Sequence, residues 1–208
     1  MGRRALRGKL ILAWALLVAA FAVATPASAQ GISQTVYYRD GGSITLQIPV
    51  TASVGGRCEF GTGNAPGGSY DAGDISSAAW SNNFDFEISC NTASRVAIVS
   101  TNGGLLTTPA VTDSGYVTLA PYTVALNLVG DSDTAAASCD VASLEATAAN
   151  PCSFRGPASN TDGLRLPGAA QNVAGSYLQV SAPAYAGPGT LVSGAYADTL
   201  TITIAAAP

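Results

Sequence analysis

Residues 84–90 read Phe-Asp-Phe-Glu-Ile-Ser-Cys, and every second side chain is apolar. A period of two places Phe84, Phe86, Ile88 and Cys90 on one face of an extended strand and Asp85 and Glu87 on the other. A helix would scatter these residues around its axis, so the segment reads as a half-buried strand. The pattern recurs in residues 43–50 (SITLQIPV), 95–100 (RVAIVS), 116–119, 122–129 (YTVALNLV), 176–180 and 196–204 (YADTLTITI). In the last of these, Tyr196, Asp198, Leu200, Ile202 and Ile204 share a face. Turn formers punctuate the runs: Gly41-Gly42, Gly55-Gly56, Pro66-Gly67-Gly68, Asn102-Gly103-Gly104 and Gly187-Pro188-Gly189. Short strands at this spacing predict an all-β fold, a single antiparallel β-sandwich. Residues 61–73 are Gly-rich and predict a long loop. Residues 141–149 (VASLEATAA) are the one candidate for a short helix.

The N-terminal residues follow a different logic. Met1–Lys9 is basic, residues 10–24 form a run of 15 apolar residues, and Ala27-Ser28-Ala29 forms a small-residue cleavage box. That order predicts a secretory signal peptide over residues 1–29. A membrane anchor needs about 20 apolar residues and has no use for the cleavage box. The general secretory route is expected, since nothing beyond Arg3-Arg4 suggests the twin-arginine route. The exported chain would be residues 30–208, a single domain of 179 residues.

Removing the signal changes the charge arithmetic. The whole chain carries 9 Lys+Arg and 13 Asp+Glu, but Arg3, Arg4, Arg7 and Lys9 belong to the signal. Five Arg against thirteen acids remain, a net of −8 with no Lys and no His. Phosphate repels such a chain, which argues against nucleic acid as a partner. The four cysteines, Cys58, Cys90, Cys139 and Cys152, all follow the signal and are even in number, which in an oxidising compartment predicts two disulfides. Three connectivities are open. The local pairing, Cys58–Cys90 with Cys139–Cys152, is preferred, with a chain-entropy contribution of about 3.7 and 2.9 kcal/mol.

Catalytic and metal-binding readings find little support in the residues. The absence of His removes the usual general base and the commonest metal ligand. Asp85 and Glu87 lie about 6.6–6.8 Å apart along one strand face, a separation a glycosidase could use. Acids alternating on the solvent face of a half-buried strand are nevertheless routine. Residues 130–133 (GDSD) with Asp140 could offer oxygen ligands to calcium, but the spacing fits no loop of the D-x-[DN]-x-[DN]-G type. No G-x-S-x-G elbow is present, and the Gly-rich stretches precede strands rather than helices. Neither a catalytic residue nor a cofactor is therefore expected. Trp80, the only Trp after the signal, is expected in the core rather than on a ligand platform. Tyr37, Tyr38, Tyr70, Tyr177 and Tyr185 form no evident cluster.

Residues 194–204 (GAYADTLTITI) fit the pattern G-x-Y-x-D-x-[VL]-x-[VI]-x-[VI]. This resembles the C-terminal signature of the spore coat protein U family, which includes subunits of archaic chaperone–usher pili. Cys58 after an N-terminal alternating strand, Cys90 closing a second, and Val96, Ile98, Asn102-Gly103-Gly104 and Tyr116 beyond it are similar to the rest of that pattern. The chain departs from it in ending Ala205–Pro208 rather than in an aromatic residue, and in the insert carrying Cys139 and Cys152.

The resemblance implies an immunoglobulin-like sandwich lacking its last strand, completed by a strand donated in trans. It implies a structural pilus subunit that meets a periplasmic chaperone, then an outer-membrane usher, then neighbouring subunits, and ends at the cell surface. The acceptor groove would be edged by Tyr196, Leu200, Ile202 and Ile204. The donor would lie within residues 31–50, with Ile44, Leu46, Ile48 and Val50 as its apolar set and Val36 and Tyr38 as a shorter one upstream. Residues 44–50 serve equally well as the subunit's own first strand, and the residues leave the two readings open. A fimbrial tip adhesin, or a related secreted sandwich that binds a host or abiotic surface, is the alternative function. A tip subunit needs no donor, so the alternating 44–50 run favours a donating subunit.

Overall fold

The computed structural model describes residues 51–63, 65–109, 111 and 113–207. The predicted signal-peptide segment and the candidate donor residues Ile44, Leu46, Ile48 and Val50 lie outside the described residues, as do Val36 and Tyr38. In chain order the strands are β1 (Cys58–Phe60), β2 (Trp80–Cys90), β3 (Ser94–Ser100), β4 (Leu105–Thr107), β5 (Tyr116–Val117), β6 (Leu119–Ala120), β7 (Thr123–Val129), β8 (Thr134–Asp140), β9 (Leu164–Leu166), β10 (Ala170–Ala182), β11 (Thr190–Leu191), β12 (Tyr196–Ala197) and β13 (Leu200–Ala206). A single 3₁₀ turn, Val141–Leu144, stands where the short helix is expected.

The fold is all-β. One sheet has the order β1-β2-β10-β7-β8, and a second has the order β13-β3-β9. All pairings within these two sheets are antiparallel. Their apolar faces meet in one core. Phe86, Ile88 and Cys90 of β2, Val124, Leu126 and Leu128 of β7, and Leu178 and Val180 of β10 pack against Val96 and Ile98 of β3 and Leu166 of β9. The two sheets thus form the predicted sandwich. Two small sheets, β12-β4-β6 and the parallel pair β11-β5, lie at the end where the Asn102-Gly103-Gly104 turn leaves β3. Gly103 has φ +65°, a conformation that glycine adopts without the Cβ penalty.

Several boundaries differ from the sequence expectation for physical reasons. The last run is two strands, because the Asp198 carboxylate takes the Thr199 and Asn102 amides out of ladder pairing. The chain then passes from the small sheet to the second large one. Residues 116–119 likewise split between β5 and β6. The 176–180 run is the centre of a longer strand, β10, with irregularities around Asn172 (φ 56°) and Gly175 (φ 106°) that restore register after each extra residue. Strand β8 (TAAASCD) is built from alanines and serines of low strand propensity and pairs with β7 along seven residues.

The two seams of the sandwich are unlike. On one side β8 lies beside β9. The segment through Phe154 and Gly156 hydrogen-bonds to both polar groups of Ile98, closing that flank of β3. On the other side lie β13 and β2, with β1 beside β13 at the Cys58 end, so this seam opens only beyond β1. Among the described residues β13 pairs only with β3, and β1 pairs with β2 only from Ile88 to Cys90.

Candidate functional site

The open seam is a cleft of about 910 Å³. One wall carries Trp80 and Phe84 of β2 with Leu178 and Val180 of β10, and the other carries Leu200 and Ile202 of β13 with residues 191–196, Asp198 and Thr199. Residues 66–76 of the Gly-rich loop also line it.

Burial along the strands marks the same opening. On β2 the core-facing side chains Phe86, Ile88 and Cys90 are buried, whereas Trp80 and Phe84, beyond the end of β1, are only half-buried. Across the seam, Val96 and Ile98 are fully buried while their ladder partners Ile204 and Ile202 are half-buried. Apolar side chains at core positions on both free edges therefore remain partly uncovered. Among the described residues this edge of β13 has no ladder partner, and an edge beside an apolar trough is a ready template for another strand.

The motif residues Gly194, Tyr196 and Asp198 set the upper end of this cleft. A Cβ on Gly194 would lie 2.6 Å from Thr107 Oγ1, so only glycine lets the chain pass β4 there. The Tyr196 hydroxyl donates to Val192 O at 2.9 Å, with Val117 O at 3.3 Å, tying the 191–196 segment to β5. Asp198 Oδ2 accepts from Ser100 Oγ at 2.7 Å and from Tyr122 Oη at 2.8 Å. Its Oδ1 accepts from the amides of Asn102 and Thr199 at 3.1 and 2.8 Å. The carboxylate thus joins β3, the strand entry at Tyr122 and the start of β13. Burial, followed by the hydrogen bond and the negative charge of Asp198, pushes the Tyr122 hydroxyl well above the ordinary tyrosine range.

Of the four residues read as the groove edge, Tyr196, Leu200 and Ile202 line the cleft, whereas Ile204 lies further along β13 outside it; Tyr196 stands on β12, paired with Thr107 of β4, rather than on β13. Trp80 is not enclosed in the core. It lies on the cleft wall, with ring centroids 6.1 Å from Tyr70 and 5.8 Å from Tyr122. Tyr70 and the loop around it are contributors that the sequence did not single out, because no periodicity marks them. The disulfides are Cys58–Cys90, joining β1 to β2, and Cys139–Cys152, with Cα separations of 4.2 and 6.1 Å.

The other candidate sites are not assembled. Asp85 and Glu87 lie on the outer face of β2, away from the cleft. Asp131 Oδ1 accepts from the Gln171 amide at 2.9 Å, and the Gly130 amide donates to Asp133 O, so this loop uses its polar groups on itself and on β10. The seven residues of β8 separate Asp133 from Asp140 by about 24 Å, too far for one cation.

The chain matches no family model, no curated protein and no solved structure.

Proposed function

We propose that this chain is an exported structural subunit that polymerises by donating an N-terminal strand to the open seam of the next copy, as a chaperone–usher pilus subunit does. The observation that carries this reading is the pairing of two free strand edges with half-covered core positions, Trp80 and Phe84 on one side and Leu200 and Ile202 on the other. An added strand would supply main-chain partners for β13 and side chains for the trough.

Residues 44–50 suit the donor role. They place Ile44, Leu46, Ile48 and Val50 at period two over seven residues, the length of β13. Burying four such side chains contributes about 6–12 kcal/mol before ordering costs. Before assembly a periplasmic chaperone would shield the same seam, and an outer-membrane usher would exchange it for the next subunit. The residues 1–29 signal accounts for export, and the acidic exported chain stays soluble in transit.

The test is electrophoresis of shed surface material in SDS with and without boiling. A ladder that collapses to monomer on heating is expected, and Ile48→Asp should abolish it while leaving exported, chaperone-bound subunit. Monomer in every unheated lane of the unaltered protein defeats the reading. Normal polymers from Ile48→Asp remove residues 44–50 from the donor role.

A further inference from the structure

Among the described residues, the exposed large apolar side chains that lie outside the cleft fall into two places. Val54 is 88% exposed, in the linker between the candidate donor and β1. Leu106, Tyr116 and Leu119 are 39%, 52% and 41% exposed and lie at the far end of the molecule. Leu106 pairs with Leu119 across β4 and β6, and with Ala197 across β4 and β12, so the stripe Ala197–Leu106–Leu119 crosses three strands. Tyr116 stands on β5 of the separate β11–β5 pair, three residues before Leu119. We propose that this patch is the seat for the linker of a second copy, with Val54 as its apolar contact; the proposal rests on the donor-strand reading above.

Chain direction carries the argument. The linker leaves the body at the Cys58 end. There Asn91 fixes it, through its side chain to Arg57 N and Gly55 O and through its amide to Arg57 O. This is also the Ala206 end of β13, since Ala206 pairs with Ser94 and the Ala207 amide donates to Ala93 O. The patch lies at the opposite end, where Ala197 precedes Leu200 by three residues, about 10 Å of extended chain.

A donor parallel to β13 would bring its residue 50 out at the Ala206 end, into the acceptor's own linker. A donor antiparallel to β13 brings residue 50 out at the Leu200 end and leaves both ends free for head-to-tail growth. In that direction Val54 of the incoming copy lies four residues, about 13 Å, past the groove, within reach of Leu106 and Leu119. One contact then covers the exposed side chains of both copies, continuous with the groove and without rearrangement of either body. An apolar patch of this kind beside a strand-accepting edge is otherwise a liability.

Disulfide trapping in assembled polymers tests the contact. Val54→Cys combined with Leu119→Cys, or with Leu106→Cys, should yield multimers that survive boiling and are dissolved by reductant. Val54→Cys with Ser138→Cys, on the exposed face of β8, should not. Polymers that assemble but trap neither pair above this control overturn the seat while leaving strand donation intact. Absence of polymers from the unaltered protein overturns both. Val54→Asp gives an independent readout, since a residue this exposed does not bear on folding: monomer melting should be unchanged and polymers should dissociate at a lower temperature. Equal dissociation temperatures would again remove the seat.

Discussion

The Tyr122 hydroxyl donates to Asp198 Oδ2 at 2.8 Å across 76 residues of sequence, and the same oxygen accepts from Ser100 Oγ. Tyr122 is 6% exposed and immediately precedes β7 of the first large sheet, whereas Asp198 lies between β12 and β13, two residues before the last strand of the second. The bond therefore ties the two sheets together at the mouth of the cleft. Replacing Tyr122 by Phe removes one bond to a charged acceptor and should cost about 1–2 kcal/mol. Asp198→Ala leaves two hydroxyls and two amides without their acceptor and should cost more, about 2–4 kcal/mol. Urea denaturation of the monomer checks the order, and equal losses for the two variants would refute the hub role of the carboxylate.

The same pair sets an alkaline limit to stability. Tyr122 is held protonated in the folded chain above its ordinary value of 10.0, chiefly by burial. The unfolded chain releases that proton near the ordinary value. Above about pH 10 the unfolded state thus binds fewer protons than the folded state, and stability falls as pH rises. The contribution of Tyr122 is fully present below that pH. Denaturation midpoints measured from pH 8 to 12 should decline above about pH 10, and Tyr122→Phe should decline less steeply over the same range.

The two disulfides should differ in worth. Cys58–Cys90 spans 32 residues and Cys139–Cys152 spans 13. Loop-closure entropy predicts about 3.7 kcal/mol for the first and 2.9 kcal/mol for the second. Paired substitutions (Cys58→Ser with Cys90→Ala, and Cys139→Ser with Cys152→Ala) measured by urea denaturation should preserve that order. The first pair also holds β1 on β2, so its removal should expose the lower part of the seam to protease sooner.

Much of the framework could be read from side-chain period alone. Strands β2, β3 and β7 present alternating apolar residues, and the structure buries those side chains except Phe84, which is half-buried on the cleft wall. Asp85 is exposed on the outer face, as its position between Phe84 and Phe86 requires. Strand β8 was not legible, because Ala and Ser give no apolar contrast and its pairing depends on β7 already being in place. The loop through Tyr70 was legible only as a Gly-rich gap. Its place in the cleft wall depends on the packing of Tyr70 on Trp80, a contact no local pattern encodes. The role of Asp198 had one sequence signal, a carboxylate on the apolar face of a strand. A half-buried charge there requires partners, but the sequence does not reveal that they are Ser100 and Tyr122.

Ile98 and Ile202 offer a direct comparison, because they face each other across one ladder and differ chiefly in cover. Ile98 is fully buried between the sheets, so Ile98→Ala should cost about 2–5 kcal/mol in the isolated subunit. Ile202 is half-buried on the open edge, so Ile202→Ala should cost about 1 kcal/mol there, in proportion to the smaller area it hides. In a polymer the donated strand would cover Ile202, and the cost of the same substitution should rise towards that of a core residue. Urea denaturation of the monomer and heat dissociation of the polymer give the two numbers for each variant. The expected result is that Ile202→Ala weakens the polymer by more than it weakens the monomer, whereas Ile98→Ala acts mainly on the monomer. If Ile202→Ala affects both equally, the edge of β13 is not where the next copy binds.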